Sequence, residues 1–469
     1  MLQSATPTGK PAARRRTSRL LGLTLILITL ALALPAGASA FLPPGAGWAW
    51  LDPGTPADLH AVAFSDATHG WAVGNGGVIL ATTNGGATWS KQNSGTTESL
   101  SAVACANASH GWAVGGKYVP ATASSTSFIL ATANGGVTWS TQSSGITTDL
   151  KGVAFADATH GWAVGTGGVI LATTNGGATW SKQNSGTTAD LTGVTFPDVT
   201  HGWAVSGTWV EDQGYTGTIL ATTNGGATWS TQVSGVSSDF TGVAFPDTIH
   251  GWAVTFDGAV YATTNGGANW SVKRLGSGSV HPSAVAFPDT IHGWAVGGTE
   301  DEPWGALIWA TTNGGATWKV QQRGGGPEEG VSAVAFPDAT HGWVVGNLGT
   351  ILATSTGGKP PVTLKLSGLR SGAMKLGRRV TARGTVTPTS LAGSKVTLKV
   401  QKKKGAKWLT VKRVKRTISA SGAYIWKYMP ARRGAYHMRA SIARTTTTAA
   451  ARTTWRPFKV NALRTRRML

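Results

Sequence analysis

Seven histidines are the first residues in this sequence that could do chemistry. His69, His110, His160, His201, His250, His292 and His341 each open a His-Gly-Trp tripeptide. A ring of imidazoles could in principle hold a metal. Each of them, however, stands three residues after an Asp or Asn: Asp66, Asn107, Asp157, Asp198, Asp247, Asp289 and Asp338. That spacing suits a turn closed by a side-chain hydrogen bond. Seven sites spread round a large ring also cannot converge on the ~2 Å bonds that a metal such as zinc needs. No metal or cofactor is expected. The single Cys105 occupies a position that holds Phe in six equivalent places, which marks a small core residue rather than a nucleophile. No zinc spacing, phosphate loop or nucleophile elbow is present.

The elements that carry these residues repeat. The Trp of the tripeptide falls at 71, 112, 162, 203, 252, 294 and 343, at intervals of 41, 50, 41, 49, 42 and 49 residues. One unit holds an apolar strand (Leu59 to Phe64), a turn, a strand opening at Trp71, and a third strand (Val78 to Ala81). The turn Thr82-Thr83-Asn84-Gly85-Gly86-Ala87-Thr88 then leads to a fourth strand at Trp89. Four short strands per unit, with periodic Gly and aromatics, are the mark of a β-propeller blade. A lone blade cannot bury both faces, so neighbours must stack. The fourth-strand Trp occurs at 89, 139, 180, 229, 270 and 318, six times against seven tripeptides. Trp48 precedes Leu59 as Trp89 precedes Leu100, so residues from about 46 to 52 are expected to complete the seventh blade. Closure of that kind removes two edge strands that would otherwise invite aggregation. Residues 41–358 therefore read as a seven-bladed β-propeller in an all-β chain.

The turn pattern T-x-N-x-G-x-T-W resembles the Asp-box of bacterial neuraminidases, sortilin-type receptors and the photosystem II stability/assembly-factor family. The fuller unit, G-W-A-V-G followed by I-L-A-T-T-N-G-G-A-T-W, is most similar to the last of these, over roughly residues 46–358. Asn replaces the box Asp throughout, at Asn84, Asn134, Asn175, Asn224, Asn265 and Asn313. An amide can still bind the turn backbone, while any cation-binding charge is lost. The resemblance implies a non-catalytic protein that assists assembly of a membrane protein complex. That family is thought to use an Arg-rich patch, whereas this propeller holds only Arg274 and Arg323. Sialidases, which also carry the box, clamp a carboxylate with three Arg and attack with a Tyr. Two Arg and three Tyr (Tyr118, Tyr215, Tyr261) cannot assemble that site. A degenerate glycoside hydrolase is the rival class, and the chain is read as no enzyme.

The blades differ where the intervals lengthen. Longer loops are expected after the tripeptide strand in the second, fourth and sixth blades, at about 115–128, 206–217 and 297–307, on the face opposite the boxes. They hold Tyr118, Trp209, Glu211, Asp212, Tyr215, Glu300, Asp301, Glu302 and Trp304. Aromatics beside acids on variable loops suit a rim that binds a protein or glycan partner. The alternative is neutral decoration left by duplication of a two-blade unit.

Charge divides the chain in two. Residues 41–358 carry eight Lys or Arg and all twenty acids, a net of −12, whereas residues 359–469 carry 28 Lys or Arg and no acid. Period-two strands such as Lys395 to Val400 and Trp408 to Lys412 put cations on a solvated face. The pattern G-x-V-x-P (Gly384 to Pro388), then G-x-Y and R-G-x-Y, resembles bacterial Ig-like sandwiches appended to surface proteins. Lys402, Lys403, Lys404, Lys412, Arg413, Lys415 and Arg416 form the densest cluster, with Arg464, Arg466 and Arg467 on a loose tail. Such a field attracts polyanions: wall polymer, a membrane surface, or nucleic acid.

Residues 1–40 have the form of a signal peptide. A basic stretch (Arg14, Arg15, Arg16, Arg19) precedes an apolar run from Leu20 to Leu34 and an Ala38-Ser39-Ala40 cleavage signal. Fifteen apolar residues fall short of the ~20 that span a bilayer. The sequence thus reads as a secreted or envelope-associated binding protein, expected to be a monomer. A polyanion-binding protein with the propeller as a spacer is a further alternative.

Overall fold

The structure, a computed structural model, describes residues 47–119, 124–210, 214–276, 279–300, 305–323, 330–358, 364–386, 394–442, 451–453 and 455–462. The expected signal segment 1–40 and the tail arginines lie outside the described residues.

Seven four-stranded antiparallel sheets form the blades, six of them from consecutive strands. The first is Leu59–Phe64, Gly70–Gly74, Ile79–Thr82 and Ser90–Gln92. The seventh takes Val331–Ala335, Gly342–Gly346 and Thr350–Thr354 from one end of the propeller and Ala49–Trp50 from the other. Its closing strand sets Ala49 opposite Ala353 and Trp50 opposite Leu352, as the Trp48 count requires. Each apolar cluster joins adjacent blades. Leu59, Val62 and Phe64 of the first pack with Trp343, Val345 and Ile351 of the seventh, so the ring is shut.

Burial of one strand explains the tripeptide. Gly70–Gly74 is buried at every residue, because the second strand of each blade has neighbours on both faces. Its Trp lies flat on the Phe that ends the first strand of the next blade: Trp112 on Phe155 at 3.4 Å between ring centroids, Trp162 on Phe196 at 3.5 Å, Trp203 on Phe245 at 3.6 Å. The fourth-strand Trp then meets that Phe edge-on, as Trp180 meets Phe155 at 87°. Trp48 plays this part for Phe336, at 85°. The Gly of the tripeptide leaves room for the Phe ring; a Cβ on Gly161 would collide with Phe155. In the second blade Cys105 stands in for Phe, and Trp71 and Trp139 face each other at 6.4 Å and 89°. Burial pushes the Cys105 thiol up to about 12, with the Asp66 carboxylate adding to the rise, so this is a core residue and not a reactive one.

The insertions expected as loops are strand extensions. The hairpins Gly111–Val119 with Ser124–Thr132 and Gly202–Val210 with Gly214–Thr222 stay paired out to Val119↔Ser124 and Val210↔Gly214. In the sixth blade Gly293–Thr299 and Gly305–Thr311 pair out to Thr299↔Gly305. Polar residues can continue a ladder through backbone hydrogen bonds, with no apolar alternation to announce it.

The C-terminal residues form two further sheets. One is Lys365–Ser367, Val380–Thr385 and Ala423–Tyr428. The larger runs Ala373–Lys375, Arg456–Asn461, Gly434–Ile442, Lys395–Lys404, Lys407–Thr417, and Ala451–Arg452 also pairs with Gly434–Ile442. Val380, Ala382 and Trp426 of the first share one core with Val396, Leu398, Val400, Met438 and Phe458 of the second.

Candidate functional site

One face of the propeller is taken up by its own turns. Asp66 Oδ1 accepts from the backbone N–H of Thr68 and His69 at 2.6 and 2.9 Å, and His69 Nδ1 lies 2.9 Å from Asp66 Oδ2. The same arrangement recurs with Asp157, Asp198, Asp247, Asp289 and Asp338. Burial would raise these carboxyls. Hydrogen bonds from the next residues outweigh it, and Asp338 is held at about 2. Each box is closed in the same manner: Asn84 Oδ1 accepts from Thr88 N–H at 3.0 Å and from the Thr82 hydroxyl at 3.0 Å. Box and Asp–His turn then join, Gly85 N–H donating to Thr68 carbonyl at 2.9 Å. Trp343 Nε1 donates to Gly85 carbonyl across the blade boundary at 3.0 Å. The histidines are structural. Among the described residues no three His, Cys, Asp or Glu converge as a metal site.

The opposite face carries acids at the starts of first strands. Asp58, Asp149, Asp190 and Asp239 each immediately precede the first strand of a blade. Their carbonyls anchor the end of the second strand, as in Asn75 N–H to Asp58 and Thr166 N–H to Asp149. Lys151 Nζ lies 2.8 Å from Asp190 Oδ2. Burial alone would raise the Asp190 carboxyl, yet the Lys151 and Gly167 hydrogen bonds bring it below its ordinary value. Asp239 shifts the other way: burial raises it, and the more distant Lys151 only partly offsets this. Asp149 Oδ1 and Asp239 Oδ1 are buried without a hydrogen-bond partner among the described residues. These acids were absent from the expected site, although an Asp before Leu or Phe at the start of four blades is visible in the sequence.

Of the expected rim residues, Tyr215 is 50% exposed and stands opposite Trp209 in the strand register. Glu300 is exposed and its carboxylate lies 3.4 Å from His281 Nε2. Tyr118 and Trp209 lie on paired strands, though their side chains are outside the described residues. Glu211, Asp212, Asp301, Glu302 and Trp304 also fall outside the described residues.

The expected cation cluster is divided between two faces. Lys403, Arg413 and Lys415 share the outer face of the larger sheet, opposite Trp408, Lys399 and Thr397 in register. Lys402, Lys404, Lys412 and Arg416 fall on the other face, where Lys402 Nζ sits 5.9 Å from the Tyr436 ring and Arg416 lies 6.0 Å from Trp426. The cause is position. Lys407–Thr417 is an edge strand, exposed at nearly every residue, so both its faces are solvated. The outer face also gathers what the sequence did not announce. His437 is stacked between Trp408 and Trp455, at 3.7 and 3.8 Å between centroids and 13° on each side.

Comparison with known proteins agrees with this fold. The sequence matches the family described as photosynthesis system II assembly factor YCF48 over residues 45–141, 94–237 and 131–280, overlapping stretches that span half of the chain. No curated protein matches it. The solved "YCF48 bound to D1 peptide" is 19% identical, covering 69% of this chain and 100% of its own, with a TM-score of 0.52. YCF48 from Cyanidioschyzon merolae is 20% identical, covering 66% and 98%, with a TM-score of 0.50. The RRP9 WD40 repeats reach a TM-score of 0.51 at 10% identity, covering 67% and 99%, which is likeness of fold alone. The chain belongs to the photosynthesis system II assembly factor YCF48 family.

Proposed function

We propose that this is an exported, non-catalytic binding protein whose propeller takes a segment of a protein partner at its channel mouth. The observation that carries the reading is the division of the propeller's polar groups. Asp–His turns and boxes are spent on turn closure, and on the other face Asp58 and Asp190 also hold turns, through Leu348 N–H and Gly167 N–H, whereas Asp149 Oδ1 and Asp239 Oδ1 are left without a hydrogen-bond partner among the described residues. A solved YCF48 is bound to a peptide, which favours a protein partner over a glycan. With acids at the mouth and one Lys among them, the segment it accepts is cationic. Capture of partners by residues 41–358 tests this. Changing Asp149 and Asp239 to Asn should weaken capture and leave the thermal midpoint nearly unmoved. Undiminished capture would overturn the assignment of the mouth.

The C-terminal module supplies retention at an anionic envelope surface. Its 28 cations without an acid support that, as does the signal-like segment 1–40. The reading of the module as Ig-like is supported by Ala373–Lys375, which runs parallel to Arg456–Asn461 across the sheet edge. Tyr436, near the start of its strand, donates its hydroxyl to the Arg432 carbonyl at 2.7 Å, as a tyrosine corner does. Binding of the mature chain to anionic vesicles or wall polymer should fall steeply between roughly 50 and 200 mM salt. Salt-insensitive binding would remove charge as the anchor.

A further inference from the structure

We propose that the outer face of the larger C-terminal sheet binds single-stranded nucleic acid, with Trp408 as a stacking surface and the surrounding cations holding the phosphates. This rests on the reading of the basic module as a polyanion binder and names the polyanion.

The register assembles the cations. Lys399 stands opposite Arg413 on one side and Arg439 on the other, a row of three across three strands. Lys395, Lys403, Lys415, Arg452 and Lys459 fall on the same face by the same pairing. Residues 359–469 contain no carboxylate side chain to neutralise them. Charge alone would serve any polyanion, so the aromatics decide.

Trp408, His437 and Trp455 come from three different stretches of chain and stack in line on this cationic face. Gln401 Oε1 lies 2.8 Å from His437 Nε2, which fixes the ring from the neighbouring strand. Burial, then Arg439 and Lys399, lower the His437 pKa, so the imidazole is neutral and adds no charge of its own to the stack. Arg439 lies 4.5 Å from the Trp455 ring centroid, closing that end. At the other end Trp408 is 37% exposed on the edge strand. Unpaired bases stack on such aromatics, and flanking Lys and Arg follow the backbone. A neutral sugar would leave the row of cations unpaired. A polyol phosphate would leave the aromatics unused, and in duplex DNA the base faces are covered.

The test uses the mature chain, residues 41–469, and fluorescence anisotropy with a labelled oligothymidine. The probes for comparison are an abasic oligomer of equal length, duplex DNA and anionic phosphatidylserine vesicles. Oligothymidine should bind more tightly than the abasic strand. Trp408→Ala should erase that preference, weakening oligothymidine about tenfold and leaving the abasic strand unchanged. Trp408→Phe, which keeps a ring, should retain most of it. Lys399→Gln should weaken both strands alike. Equal binding of the two strands, or a Trp408→Ala effect on both, would overturn the proposal while leaving polyanion binding intact. Vesicles bound more tightly than either strand would point to a membrane. Failure of every probe to bind would overturn the polyanion reading as well.

Discussion

Phe64, at the end of the first strand of the propeller, lies flat on Trp343 of the last complete tripeptide, with ring centroids 3.4 Å apart and planes within 5°. The two residues are nearly the whole propeller apart in sequence. The contact repeats the one made between every other pair of neighbours with a Phe, so the junction where the two ends of the propeller meet has the same interior as the others.

Replacing Phe64 with Ala should therefore lower stability by about 3–5 kcal/mol, the usual cost of emptying an aromatic core site. The loss should resemble that of Phe196→Ala, within the blades, since each Phe fills an equivalent site. Denaturant unfolding of both variants checks it. A much smaller effect for Phe64 would mean that the ring is looser at its junction.

Tripeptide glycines should not tolerate change equally. At Gly161 an added Cβ meets the Phe155 ring, whereas at Gly111 its nearest neighbours are Thr132, Trp139 and Ala104 at 3.5 to 3.6 Å. Gly161→Ala is expected to cost several times more than Gly111→Ala, because only the second blade has Cys105 beneath the glycine. Thermal midpoints of the two variants measure the difference.

Removal of residues 41–52 takes away Trp48, its hydrogen bond to Gln321 at 3.2 Å and the pairing of Ala49–Trp50. The truncated chain should melt well below residues 41–469 and expose the edge Thr350–Thr354. Calorimetry, with light scattering to follow association, tests both parts. An unchanged midpoint would contradict the closure.

Acid should act through the Asp–His turns. Asp338 is held at about 2 against an ordinary 3.8, because bonds from Thr340 and His341 outweigh its burial. A depressed carboxyl contributes stability that is complete above its unfolded value and is lost as the pH falls through its folded one. The propeller should therefore weaken between about pH 4 and 2. Asp338→Asn should make that limb shallower by lowering stability at neutral pH more than at pH 2, where the carboxylate's contribution is already lost. Asn107 already holds the same turn without a charge, through backbone bonds of 2.9 and 3.0 Å.

The propeller was legible because its signal is arithmetic. Seven tripeptides, six fourth-strand Trp and an unpaired Trp48 leave one way to close the ring. The long hairpins were misread as loops because stretches such as Thr208 to Thr218 lack the alternation of a half-buried strand. For the cations, Lys407–Thr417 breaks its alternation at Trp408-Leu409 and Lys412-Arg413, and an edge strand exposed on both sides gives the cations no single direction. The Trp408–His437–Trp455 stack depends on pairing among distant strands, and no local pattern reports it. In the fourth strands the sequence does report departures. Gln92, Gln142, Gln183, Gln232 and Gln321 each donate to a turn carbonyl of the next blade. Lys273 stands in that place in the fifth blade and Leu51 in the closing strand, beside Gly86.

Extended hairpins occupy the second, fourth and sixth blades, and a short turn follows the second strand in the others. Alternation with a period of two cannot close on an odd ring, so the seventh and first blades are short neighbours. That parity defect cancels the rotational equivalence a seven-fold ring would otherwise have. A partner sensing the heights of the rim meets one low sector, at the junction of the propeller's two ends, and so has a single orientation in which to dock rather than seven.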